Sequence, residues 1–205
     1  MIGNGQAPTR AAVLEMTNEQ VVVREAYDFL DEKRLLLASE LLRQLRIYQQ
    51  LNEQLDNLHA NAKDAMVAAV SFHGLNGFQV YPAASIDSAE FIQNRRNFMG
   101  ATLVDSELYT EADITKHALA VYPSAVAEHT HQLYCDILQK SAVLAGVSGN
   151  LYRLFNEYRI TERRSRALEN VILPEIEQTL HDMTSHLEEL DLEDAIRMQL
   201  KNKKE

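Results

Sequence analysis

No glycine occurs between Gly5 and Gly74 and no proline between Pro8 and Pro82, so more than sixty consecutive residues lack both of the residues that most often end a helix. Within that interval Leu30, Leu37, Leu41, Leu45, Tyr48, Leu51, Leu55, Leu58, Ala62 and Met66 recur every three or four residues and mark one stripe along a helix. Gln, Asn, Asp, Arg and Lys fill the other face. At ~1.5 Å per residue such a helix runs about 95 Å, longer than a small domain is wide. It has to lie along a partner of similar length.

That partner stands at the other end of the chain. Leu151, Leu154, Tyr158, Thr161, Ser165, Leu168, Ile172, Ile176, Thr179, Met183, Leu187 and Leu190 repeat at the same spacing. Two stripes of this length imply a seam, and a periodic pattern far beyond 25 residues argues for a coiled coil. Thr161, Ser165 and Thr179 make the seam less tightly specified than a leucine zipper. Pro174 falls inside the second stripe and deletes one backbone hydrogen bond, at ~3 kcal/mol. One reading ends a helix at 171–173 and starts another at Glu175. The apolar register continuing through Ile176, Thr179 and Met183 favours a single helix bent near Pro174.

Between the stripes the pattern stops: Gly74, Gly77, Pro82, Gly100 and Pro123 fall within fifty residues. GFQVY, AEFIQ and ATLV read as short strands, the last two joined by the turn-like NRRNFMG into a hairpin. SELYTEADITKHALAVYPS reads as a short helix ended by Pro123. The expected fold is all-α, a long antiparallel two-helix coiled coil whose middle segment carries a short β-hairpin. A single domain spans the chain, with an N-terminal helix over 9–72, a middle insert over 73–123 and a C-terminal helix over 124–203, its first part weakened by Gly146 and Gly149.

Charge and motif content exclude several functions. The net charge is −10 and the twenty basic residues are dispersed, unlike the basic stripe that counterion release on nucleic acid requires. Cys135 is the one cysteine, so no intramolecular disulfide forms, and the N-terminus lacks a basic segment followed by an apolar one. The expected location is cytoplasmic. Apolar runs fall far short of the ~20 residues needed to cross a bilayer, so membrane association is expected only through a partner.

No GxxxxGK[ST] loop and no Gly-Lys pair occurs, which argues against nucleotide hydrolysis by this chain. Gly3 and Gly5 form a lone GxG with no strand before it. His131 and Cys135 lie four apart and suit zinc, but His129 projects from another face of the helix and no fourth ligand is evident. Acid pairs such as Glu188 with Glu189, or Asp31 with Glu32, read as solvated helical faces because a two-helix rod offers no pocket to perturb them. Arg95 and Arg96, at the expected hairpin turn, suit either an acidic partner or plain solvation. Lys201, Lys203 and Lys204 suit a helix C-terminus. No catalytic, cofactor-binding or metal site is expected.

The run TERRSRALENVILPEIEQTL, Thr161 to Leu180, resembles the C-terminal signature of the V/A-type ATPase D-subunit family, T-x-R-R-V-N-A-L-E-x-V-I-I-P. PTRAAVLEM, LDEKRLLL around Lys33 and Arg34, and the FMG of Phe98 to Gly100 are similar to three further landmarks of that family in the same order. Arg166 stands where the signature has Asn, and Leu192 to Ala195 replace an E-R-E-E-like stretch.

The resemblance implies a non-catalytic central-stalk rotor shaft that transmits torque between a catalytic head and a membrane ring, coupled to proton or sodium transport during ATP synthesis or hydrolysis. It implies as partners the hexamer of A and B subunits, the small F subunit of the central stalk, and the C subunit (called d in eukaryotic complexes) above the proteolipid ring. Arg163, Arg164, Leu168, Glu169 and Pro174 would belong to the shaft signature; Lys33 and Arg34 of the second landmark, and Arg95 and Arg96 by their place at the expected hairpin turn, are the further candidate interaction residues. The alternative reading is a prefoldin-like coiled-coil chaperone or scaffold, which also joins long helices through strands.

Overall fold

The computed structural model describes residues 9–78, 89–110 and 124–202. Helix α1 is Arg10–Phe78, with Gly74 departing from helical geometry at φ 68°. Strands β1 (Ala89–Phe98) and β2 (Ala101–Thr110) form an antiparallel pair. Helix α2 (Ala125–Ala167) leads into a five-residue π-turn, Leu168–Ile172, and then helix α3 (Leu173–Asn202). The fold is thus a long N-terminal helix and a long C-terminal helical stretch, with one small antiparallel hairpin between them in the chain.

The helices begin where the sequence supplies a start. Thr9 caps α1: its Oγ1 accepts the Ala12 N–H at 3.2 Å, satisfying one of the donors that the first turn leaves open. Helix α2 starts just past Pro123, with the Glu128 N–H donating to Ser124 O at 3.0 Å.

The chain divides into two compact units, residues 1–36 with 158–205 and residues 37–157. In the first, Ala12 and Met16 of α1 and Thr161, Ser165, Ile176 and Met183 of the returning arm are buried. Ion pairs flank this seam, Arg10 to Asp191 at 2.8 Å and Arg24 to Glu177 at 3.2 Å. They are exposed, and pairs of this kind contribute little to stability. The buried stripe supplies the cohesion.

In the second unit Leu37, Ala62 and Ala69 of α1 and Ala127, Ile137 and Leu154 of α2 are buried. The stripe differs from expectation at one turn: Leu45 is exposed, and Gln44 with Glu40 takes the inward positions. At that turn Glu40 meets Arg96 of the hairpin.

The hairpin is longer than expected, with ten residues in each strand. Arg95 and Arg96 are therefore strand residues of β1, and the turn is Met99–Gly100 alone. Both turn residues have positive φ, 49° and 88°, the requirement of a two-residue type I′ turn that matches strand twist. Ser106 to Thr110, expected in a short helix, belong to β2, while 111–123 lie outside the described residues. Of GFQVY, Gly77 and Phe78 continue α1, and 79–81 also lie outside.

Candidate functional site

Strand β2 is docked on α2 through its outer edge. Val104 donates its N–H to Asn150 Oδ1 at 2.7 Å, and Asn150 Nδ2 donates to Val104 O at 2.9 Å. The amide thus stands in for a third strand, closing an edge that would otherwise bury unpaired backbone groups. Nearer the start of α2, Ser106 Oγ donates to Ala142 O at 2.6 Å. Gly146 makes room for this approach, since a Cβ there would overlap Ser106 Oγ. The glycines that weaken the helix on sequence grounds lie within unbroken α2, and Gly146 is the notch that seats the hairpin.

The other strand is tied to α1. Glu40 is buried and accepts from Arg43 Nη2 at 2.6 Å, Gln44 Nε2 at 3.0 Å and Arg96 Nη2 at 3.3 Å. The Arg43 hydrogen bond, opposed by burial and aided by Gln44 and Arg96, holds the Glu40 carboxyl down to about 2. Arg96 also reaches Asp105 on β2 at 3.6 Å. Arg96, expected in the turn, is instead a strand residue that pairs within the chain, because the strand extends through it. Arg95, its neighbour on the opposite face of β1, is exposed.

The signature residues lie in the first unit. Arg163 and Arg164 are exposed on the last turns of α2, Leu168 and Glu169 begin the π-turn, and Pro174 sits exposed in the first turn of α3. The charge of Glu169 is the largest influence raising the Tyr27 phenol, followed by burial and Asp31. Lys33 and Arg34 are half-buried on α1, and Arg34 pairs with Asp31 at 2.5 Å. Thr161 is buried with its Oγ1 lacking a hydrogen-bond partner among the described residues.

Among the described residues no group of three His, Cys, Asp or Glu side chains is placed to hold a metal ion. The Cys135 Sγ lies 3.8 Å from His131 Nδ1, and burial pushes its thiol up. His129 is exposed. No helix among the described residues is long and apolar enough to cross a membrane. Large apolar side chains are nonetheless exposed near both chain ends, Leu14, Val22 and Phe29 on α1 and Leu192, Ile196 and Met198 on α3.

Two long helical stretches, the hairpin between them in the chain and the Thr161–Pro174 run point to one family, and its model, the D subunit of ATP synthase, matches residues 12–203. The chain belongs to the ATP synthase D-subunit family.

Within the family it is similar to the V-type ATP synthase D subunit of Thermotoga neapolitana, 24% identical over 193 residues that cover 94% of each chain. The A-type ATP synthase D subunit of Thermococcus kodakarensis is 25% identical, covering 93% of this chain and 90% of its own. That of Haloarcula marismortui is also 25% identical, with 93% and 84% covered. The match therefore extends beyond the signature that carries the resemblance.

Asn150, Gly146 and Glu40 are the residues that sequence reasoning missed as organisers of the hairpin. The helical period gave no signal for them, since the stripes place Leu41 and Leu151 beside Glu40 and Asn150 in the inward positions.

Proposed function

We propose that this member of the D-subunit family is the central-stalk rotor shaft of a V/A-type ATP synthase, a non-catalytic component that transmits torque between a catalytic head and a membrane ring. The observation that carries the reading is the family match over residues 12–203. Its partners are the hexamer of A and B subunits, the F subunit and the C (or d) subunit that couples it to the proteolipid ring, and it is held at the membrane through that complex. ATP chemistry and ion passage, of H⁺ or Na⁺, belong to other subunits.

Two physical features support it. Within each unit, buried seam residues such as Met16 and Ser165, or Leu37 and Leu154, supply packed side chains through which twist can be carried. The apolar residues exposed near both chain ends, such as Phe29 and Ile196, need covering, which insertion into a sleeve of surrounding subunits provides. A shaft acts by touching three chemically identical catalytic pairs differently, since only differential contact shifts each toward a different conformation. Arg163, Arg164, Glu169 and Pro174 are the exposed signature residues available for such contacts, with Arg95 on the hairpin available to another stalk component.

The test is reconstitution of the purified chain with the catalytic hexamer of the same organism, read by size-exclusion chromatography with light scattering. One copy per hexamer is expected. A stable self-oligomer that leaves the hexamer unbound contradicts the reading and favours a coiled-coil chaperone.

A further inference from the structure

The seam of the first unit keeps helical spacing on both sides of the π-turn but not across it. Thr161, Ser165 and Leu168 step by four and three, and Leu173, Ile176, Leu180, Met183 and Leu187 resume in steps of three or four, all buried or half-buried. From Leu168 to Leu173 the step is five. Ile172, which the regular period places inward, is 36% exposed, and Val171 is 50% exposed. The π-turn therefore holds one residue more than the seam needs, as π-bulges do.

One rung of its hydrogen bonding is missing. The Leu173 N–H donates to Leu168 O, an i to i+5 bond. The next rung is absent because Pro174 has no N–H, and in a regular α-helix its ring would press on the Asn170 carbonyl. The wider turn moves that carbonyl aside and so accommodates the proline. A missing rung and an extra residue coincide at one point of an otherwise regular arm.

We propose that Leu168–Ile172 with Pro174 is a one-residue insertion that acts as the compliant joint of this arm, taking up bending and twist between the end of α2 and α3 while the seam on either side stays in register. The inference rests on the geometry of the first unit alone and holds whatever partner the chain serves.

Hydrogen exchange on the full chain, combined with two deletion variants, tests it. In the parent, the amides of Val171, Ile172, Leu173 and Glu175 are expected to exchange about tenfold faster than those of residues 161–166 and 179–184. Deleting Asn170 together with Pro174→Ala removes the extra residue and restores the missing donor. That variant is expected to form an unbroken α-helix, to lose the fast-exchanging window and to melt no lower than the parent. Deleting Gln178 instead rotates everything beyond it out of the seam, and a marked loss of melting temperature is expected. Uniform protection across 161–184 in the parent overturns the proposal. So does an Asn170 deletion variant that is unfolded or as destabilised as the Gln178 deletion.

Discussion

Asn150 satisfies both backbone polar groups of Val104, accepting its N–H at 2.7 Å and donating to its carbonyl at 2.9 Å. Asn150 is fully buried and Val104 nearly so, so neither group can turn to water when the amide is removed. Asn150→Leu keeps a similar volume and leaves two orphans, and each costs a kcal/mol or more. The expected loss is about 3 kcal/mol, read from the urea midpoint. A loss below about 1 kcal/mol contradicts this account of hairpin docking.

Gly146 gives a prediction whose sign is informative. Helix propensity alone makes Gly→Ala stabilising by about 1 kcal/mol, but the new Cβ would overlap Ser106 Oγ and sit 3.2 Å from Ser106 N. Gly146→Ala is expected to destabilise by about 2 kcal/mol through overpacking. Adding Ser106→Ala relieves part of it, since the backbone contact persists. Gly149→Ala, which meets only the flexible end of Arg153 at 3.2 Å, is expected to be neutral or stabilising. Thermal melts of the three variants check the order.

Glu40 predicts a pH dependence. Its carboxyl sits at about 2 when folded, against an ordinary value of 4.5. The stability from this depression is therefore present above the ordinary value and disappears as pH falls through about 2. Near neutral pH it amounts to about 3 kcal/mol, and more than half is gone by about pH 3. Glu40→Gln is expected to be markedly less stable than the parent at neutral pH, with the gap narrowing at about pH 3. A gap that does not change with pH would separate Glu40 from the acid response.

Thr161 runs the other way. Its hydroxyl is buried without a hydrogen-bond partner among the described residues, so the folded state bears the loss of its hydration. Thr161→Val replaces it with a methyl of the same shape and is expected to stabilise by about 1 kcal/mol. Chemical denaturation reads this directly, and destabilisation would show that the hydroxyl is satisfied in solution.

The arms were legible because their period is long and strong: Leu37, Ala62, Leu154, Thr161, Ser165, Ile176 and Met183 are buried where the stripes place them. The period fails where something outside the helix acts on it. Leu45 yields to Gln44 at the turn where Glu40 is bonded by Arg43, Gln44 and Arg96, and Ile172 yields to Leu173 because Pro174 is accommodated by a wider turn. At Leu190 the seam has faded and the side chain is exposed. The hairpin was legible as a hairpin, but its length was not: NRRN carries turn-forming residues, and only pairing with Thr102 to Asp105 makes them strand. The pairing of Arg96 was the least legible part, because Glu40 lies far from it in sequence and only the docked hairpin brings the two together.

Rotation of this chain inside a catalytic head, as proposed, can be read in single molecules. With the hexamer fixed to a surface and a bead attached through Arg95→Cys in a Cys135→Ser background, ATP is expected to drive unidirectional rotation with three dwells per turn. A bead that stays fixed or only fluctuates while the same complexes hydrolyse ATP would contradict the rotor account.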